Sequence, residues 1–331
     1  MYIVWLLISM SGMVLAAAQK PVIKNTNTMY EPGIIKKAVS YKRSKYEVKE
    51  AFAQQLADFK KVYGDLNKDI PAKTDSVLRV VTYNIMGEKT VRGIQTIAMF
   101  DELKKIQADV VIIQEAKLPH TLTMLKDLGY QYTTSCSGSG IYGEMVNVIA
   151  SKQPFATKPV QYTFKHLAKA GVRVKHQLCF VKVTLDLKSC GIKKPLVIYG
   201  VHLEGNDEQL RFEELKDLKE MARVYDSGSN VLIAGTFNET RDMPGLTIFE
   251  HALFDDKNPS GFVTTFTKLN VQAPYFTHWS GQELDFIYLR DWYVQNGNKI
   301  TDWNMPLNGS YLYYSDATGR MPVIVDLACK K

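Results

Sequence analysis

Val231–Glu239 reads VLIAGTFNE, an apolar run that breaks at Gly235-Thr236-Phe237-Asn238. Consecutive aliphatic residues followed by a turn-prone glycine and asparagine predict a buried strand that surfaces in polar side chains. The same pattern recurs on both sides of this segment. Asn84 ends VVTYN, Gln114 and Glu115 end VVIIQE, His202 follows LVIYGV, Asp285 opens DFIYL, and Ser315-Asp316 precedes PVIVDL. Taken singly, each of these polar residues reads as a cap or turn residue. Placed together where apolar strands surface, they predict one shared site.

Between these strand ends the chain alternates unevenly. Val77–Ile85, Asp109–Gln114, Tyr130–Ser135, Val146–Ser151, Leu178–Leu187 and Leu196–Leu203 read as strands, and Ile94–Ile106 and Leu118–Leu128 as helices. Asp207–Tyr225 is a further helix, with Leu215, Leu218, Ala222 and Tyr225 on one face. Strands mostly follow strands, and helices interrupt in two places. That order predicts two packed mixed β-sheets flanked by helices, not a doubly wound parallel sheet. Residues 77–331 read as one domain.

With 331 residues, 46% hydrophobic and 23% charged, the chain can bury a large core, and its composition excludes bulk disorder. Ile3–Leu15 is almost wholly apolar and is followed by Ala16, Ala17 and Ala18, which predicts a signal peptide over residues 1–18 and a secreted or periplasmic protein. No Lys or Arg precedes that run, so an uncleaved N-terminal membrane anchor is the alternative, although the run is shorter than the ~20 residues a spanning helix needs. Residues 19–76 read as an N-terminal extension: an extended lead-in with Pro21, Pro32 and Gly33, then a basic helix over Ile35–Tyr63.

Cys136, Cys179, Cys190 and Cys329 are compatible with one or two disulfides in any of three pairings, or with buried thiols, and their spacing is no metal motif. The formal charge is +7, unevenly spread. Residues 151–200 hold ten Lys/Arg against the single acidic residue Asp186, and residues 201–250 hold five against eleven Asp/Glu. This asymmetry reads either as a basic approach beside an acidic, metal-attracting floor or as two solvated faces.

The segments TYNIMG, IIQEAK, YGVHLE, GTFNE, LDFIYL and SDATGRMPV, in that order from Thr82 to Val323, resemble the motif series of the metal-dependent endonuclease/exonuclease/phosphatase superfamily. That superfamily includes deoxyribonucleases, abasic-site endonucleases, inositol polyphosphate phosphatases and neutral sphingomyelinases. The resemblance implies a four-layer α/β (α+β) sandwich that cleaves phosphate esters by metal-assisted water attack. It implies Glu115 as the principal ligand of Mg²⁺ or Mn²⁺, with Asn84 beside it and Asp316 contributing from the far end. Hard oxygen donors of this kind suit Mg²⁺, which retains waters and needs one or two carboxylates.

The resemblance further implies that His202 contacts the phosphate and protonates the leaving group. Tyr142 and Glu144 form the Tyr-x-Glu that pairs with this histidine in deoxyribonucleases, and a carboxylate partner raises an imidazole pKa. Arg173 and Asn238 are implied phosphate contacts. Two positions depart from the pattern. Thr236 stands where the family has the aspartate that activates water, and a threonine cannot accept that proton at neutral pH. Ala317 stands where the closing histidine is expected, which leaves Asp285 without the group it would orient. Arg320 reads either as a phosphate clamp or as a partner of Asp316 and Asp285 in place of the imidazole. His278, Glu239 and Asp242 are the nearby groups that could compensate.

Three functions follow as expectations. The first is an exported, divalent-metal-dependent phosphodiesterase, nuclease-like, acting on nucleic acid as a monomer. The second is a catalytically degenerate relative that binds a phosphorylated ligand or a protein. The third is a sphingomyelinase-like enzyme that meets a lipid headgroup through Trp292, Tyr293, Trp303, Tyr311, Tyr313 and Tyr314.

Overall fold

A computed structural model describes residues 61, 67–68, 70–85, 94–138, 146–164, 179–226, 228–241, 243–251, 260–270, 277–278, 282–295, 298–301, 303–313, 315 and 320–329. The expected signal peptide and nearly all of the stretch read as a basic helix lie outside the described residues. The described residues belong to one unit, 58–331. None of the described helices is long and apolar enough to cross a membrane.

In chain order the elements are β1 (Val77–Asn84), α1 (Ile94–Ile106), β2 (Val110–Ala116), α2 (His120–Asp127), β3 (Tyr132–Ser137), β4 (Val146–Ser151), β5 (Val160–Thr163), β6 (Cys179–Leu185), β7 (Leu196–His202) and α3 (Glu208–Tyr225). They continue with β8 (Asn230–Thr236), α4 (Pro244–Glu250), β9 (Ser260–Thr264), α5 (Thr265–Lys268), β10 (Asp285–Gln295), β11 (Asn298–Thr301), β12 (Leu307–Leu312) and β13 (Val323–Ala328). One sheet runs β12-β13-β1-β2-β4-β3, and the other runs β11-β10-β8-β7-β6-β5 with β9 also on β10.

Each sheet holds a parallel pair, β1 with β2 and β7 with β8, among antiparallel neighbours. A parallel pair needs a crossover, and α1 and α3 supply the two. Side-chain alternation then sorts each strand between two cores. Val81 and Tyr83 of β1 pack with Met99, Leu103 and Leu125 of α1 and α2, while Val231 and Ile233 of β8 pack with Leu215, Leu218 and Ala222 of α3. The opposite phase faces the other sheet. At Gly200 of β7 an added Cβ would lie 2.9 Å from Ile112 Cγ2 and 3.0 Å from Ile149 Cγ1, so the two sheets press together there. Helices, sheet, sheet and helices make the expected four layers.

Two disulfides tie the sheets together. Cys136 of β3 bonds Cys179 of β6, and Cys190, in the turn after β6, bonds Cys329 just past β13. Asn147, paired with Cys136, donates to Cys179 O at 2.6 Å. That bridge sits where β2 and β7 end. The second lies at the opposite end, where Cys329 N donates to Ser76 O at the start of β1. All four cysteines are therefore bonded.

Four strands and two short helices escape the sequence pattern. β5 is a brief, largely exposed edge strand, and β12 (LNGSYL) carries an Asn-Gly that reads as a turn. In the fold β12 pairs with β13 through a register shift at Gly309, where an added Cβ would fall 1.9 Å from Tyr311 Oη.

Candidate functional site

The alternation that fills the cores also assembles the site. Because Val81 and Tyr83 face outward, Asn84 at the end of β1 faces inward, and the same phase brings Thr236 inward at the end of β8. Register supplies the rest. His202 of β7 lies opposite Thr236 in the parallel pair, and Asp285 of β10 lies opposite it in the antiparallel pair.

A hydrogen-bond chain crosses this end of the sandwich. Thr236 Oγ1 donates to Asp285 Oδ1 at 2.6 Å and accepts from Asn84 Nδ2 at 2.9 Å, and Asn84 Nδ2 also donates to Glu115 Oε1 at 3.0 Å. Asp285 Oδ2 accepts from Thr277 Oγ1 at 2.9 Å and from Arg320 Nη1 at 3.0 Å. Thr277 Oγ1 in turn accepts from the backbone N–H groups of Leu284 and Asp285, each at 2.9 Å. Thr236, Asp285, Arg320 and Thr277 are all buried.

Glu115 reaches the site by a local departure from the pleat. Strict alternation would place it on the outer face with Ile113. Instead β2 breaks register against β4 between Ile113 and Ala116, and Glu115 takes a φ of 59°. This bulge turns the carboxylate toward Asn84 and leaves its Oε1 3.8 Å from His202 Nε2. A non-glycine residue in that region costs on the order of 1–3 kcal/mol, which the surrounding contacts must offset. Asn238 also has a positive φ, 53°, and its Nδ2 donates to Leu203 O at 2.7 Å, next to His202. Gly235, where the apolar run of β8 breaks, is required by the backbone. Its φ is 152°, and a Cβ there would lie 1.9 Å from Val201 O.

Burial is the main influence on His202 and pulls its pKa below the usual imidazole value, against the opposing pull of the Glu115 charge. The carboxylate expected to raise it, Glu144, lies outside the described residues. A lowered pKa favours the neutral imidazole, in which one nitrogen donates and the other accepts.

The structure thus brings together Asn84, Glu115, His202, Thr236, Asp285 and Arg320, with Asn238 in the adjoining loop. Arg320 pairs with Asp285, the second of its two expected roles. Tyr142, Glu144, Arg173, Asp242, Asp316 and Ala317 lie outside the described residues. Glu239 turns its carboxylate to Arg211 Nε at 3.2 Å and to Gly245 N at 2.8 Å. His278 forms backbone bridges to Gln282 and Arg320. Thr277, the cap on Asp285, has no signal in the sequence, because a threonine eight residues before a strand carries no periodicity. Trp303 and Tyr313 are buried within the fold and do not face a lipid surface.

The donor set suits a hard divalent cation. Glu115 offers a carboxylate, and Asn84 beside it turns its Nδ2 toward that carboxylate, so it would ligate an ion only with its amide turned over; Mg²⁺ accepts few protein ligands because water and substrate phosphate complete its shell. Among the described residues no three His, Cys, Asp or Glu side chains cluster as metal ligands, so the fit rests on this pair.

The sequence model of the Endonuclease/Exonuclease/phosphatase family matches residues 81–310. Among solved structures, the human Nocturnin catalytic domain with bound sulfate anion superposes with a TM-score of 0.59 at 14% identity, over 78% of this chain and 96% of that one. ANGEL2, a 2′,3′-cyclic phosphatase in complex with adenosine-2′,3′-vanadate, gives 0.55 at 12% identity, over 77% and 96%. D. rerio TDP2 complexed with single strand DNA product gives 0.53 at 17% identity, over 76% and 99%. At these identities the likeness is one of fold. No curated protein matches the chain in sequence.

Proposed function

Because the chain belongs to the Endonuclease/Exonuclease/phosphatase family, we propose that it is an exported, divalent-metal-dependent phosphodiesterase. One half of its site is intact, and its water-activating half is slow. The observation that carries this reading is the convergence of Asn84, Glu115 and His202, with Glu115 turned inward by a strained bulge. A phosphodiester of nucleic acid is the preferred substrate, a reading supported by the single-strand DNA product held by TDP2 and the adenosine vanadate held by ANGEL2. Two disulfides support export, since such bonds persist in oxidising compartments.

Glu115 and Asn84 are the residues to hold Mg²⁺ or Mn²⁺, and the ion when bound neutralises phosphate oxygens. His202 lies where it would contact the phosphate. Beside an anionic ester the ring gains proton affinity, takes a proton from solvent to become imidazolium, and gives that proton to the departing oxygen, returning to the neutral ring. Asn238 orients the ester from the neighbouring loop. On the opposite side Thr236 cannot accept the proton of an attacking water, and Asp285 is occupied by Thr236, Thr277 and Arg320. A missing general base costs roughly 10²- to 10⁴-fold in rate, so turnover is slow.

Purified protein with Mg²⁺ or Mn²⁺ is expected to nick plasmid DNA and to cleave bis(4-nitrophenyl) phosphate, and Glu115→Ala or His202→Ala to abolish both. Equal rates in those variants would assign the signal to a contaminant and remove the enzyme reading. The Arg320–Asp285 ion pair favours a second reading, a member that binds phosphorylated ligands without turnover. That reading predicts calorimetric binding of inorganic phosphate with no cleavage at any metal concentration.

A further inference from the structure

The phosphate half-site hangs on two loops, one after His202 at the end of β7 and one after Thr236 at the end of β8. Arg211 of α3 reaches both from behind. Its Nη1 donates to Glu204 O at 3.0 Å, two residues beyond His202, and its Nε donates to Glu239 Oε2 at 3.2 Å, one residue beyond Asn238. Both members of the Arg211–Glu239 ion pair are buried, with side chains 7% and 2% exposed.

Each loop is also pinned on its own side. Glu204 N donates to Glu214 Oε2 of α3 at 2.7 Å, and Gly245 N at the start of α4 donates to Glu239 Oε1 at 2.8 Å. Gly245 leaves room for that carboxylate, since a Cβ there would lie 2.4 Å from Glu239 Oε2. In front of the clamp the Asn238 amide closes the pair of loops by donating to Leu203 O at 2.7 Å.

A buried ion pair adds little net stability, because desolvation offsets the attraction and apolar residues of the same volume serve as well. A planar guanidinium does hold two acceptors in a fixed geometry. We propose that Arg211 is a positioning residue: by binding both loops it sets the placement of His202 and Asn238, without touching substrate. Its effect on turnover rests on the phosphodiesterase reading, whereas its effect on Asn238 does not.

The test is the charge-balanced double variant Arg211→Met/Glu239→Gln. It is expected to melt within a few degrees of the parent, because removing both charges leaves neither one buried alone. Two readouts should change. The kcat for bis(4-nitrophenyl) phosphate should fall at least about tenfold, since small displacements of reacting groups are costly. The Asn238 side-chain NH₂ resonances should shift and exchange faster with water. Arg211→Lys, which keeps the charge but loses the fork, should fall between parent and double variant. A folded double variant with unchanged Asn238 resonances overturns the proposal. If the parent shows no turnover, the phosphodiesterase reading fails, and the clamp is decided on the Asn238 resonances alone. If the double variant does not fold, the same readouts on Arg211→Lys decide it.

Discussion

An aspartate at position 236 would set a second carboxylate against Asp285, because Thr236 Oγ1 already lies 2.6 Å from Asp285 Oδ1. Two carboxylates that close cannot both ionise freely. Thr236→Asp alone is therefore expected to lower the melting temperature without a gain in rate, whereas its combination with Ala317→His raises the rate; a rate gain in the single variant would contradict this account. Thr236→Val removes one bond to Asp285 and one from Asn84 in a fully buried place. The expected loss is about 2–4 kcal/mol by denaturant titration, with Thr236→Ser much milder. His278 gives a pH signature. Burial, and then the Arg320 charge, hold its pKa well below the imidazole value. Between the folded and unfolded pKa values the unfolded chain binds more protons, so the stability from this residue is full above about pH 6.5 and is lost as pH falls. Glu283 has the opposite sign: burial raises it from 4.5 to about 7, and its stability is lost as pH rises through that window. His278→Gln should flatten the acid side of the melting-temperature profile, and an unchanged slope would refute the assignment.

At the scale of elements, the strands that build the site were legible because alternation and turn residues are local signals. β1, β2, β7 and β8 fall within a few residues of the apolar runs that announce them. The bulge in β2 was not legible. Alternation sends Glu115 outward, and only the interrupted pairing with β4 turns it over. β5 and β12 were lost for a related reason: they owe their extended form to a neighbour, not to their own composition. Gly235 is the sharpest single test of an element. With φ at 152° and a Cβ position 1.9 Å from Val201 O, Gly235→Ala must push β8 away from β7. The expected cost exceeds about 3 kcal/mol, seen as loss of the cooperative unfolding transition, and a normally folded variant would rule out this close approach.

Across the whole molecule the two disulfides staple sheet to sheet at opposite ends, closing separations of 43 and 139 residues. Bridges over such loops stabilise by roughly 2–5 kcal/mol each. Reduction should lower the denaturant midpoint clearly, and an equal midpoint with and without reductant would mean that the bridges add nothing to stability. By itself the sequence determined the family, the layered class of the fold and the polar residues at the strand ends, since periodicity and motif order are written along the chain. It left the cysteines open between buried thiols and one or two disulfides in any of three pairings. The tertiary structure alone decided that Cys136 meets Cys179, that Arg320 takes Asp285, that Glu115 turns inward, and that Arg211 spans the two loops. Those outcomes depend on register, a bulge and crossovers that join segments far apart in the chain, and no local pattern encodes where such segments meet.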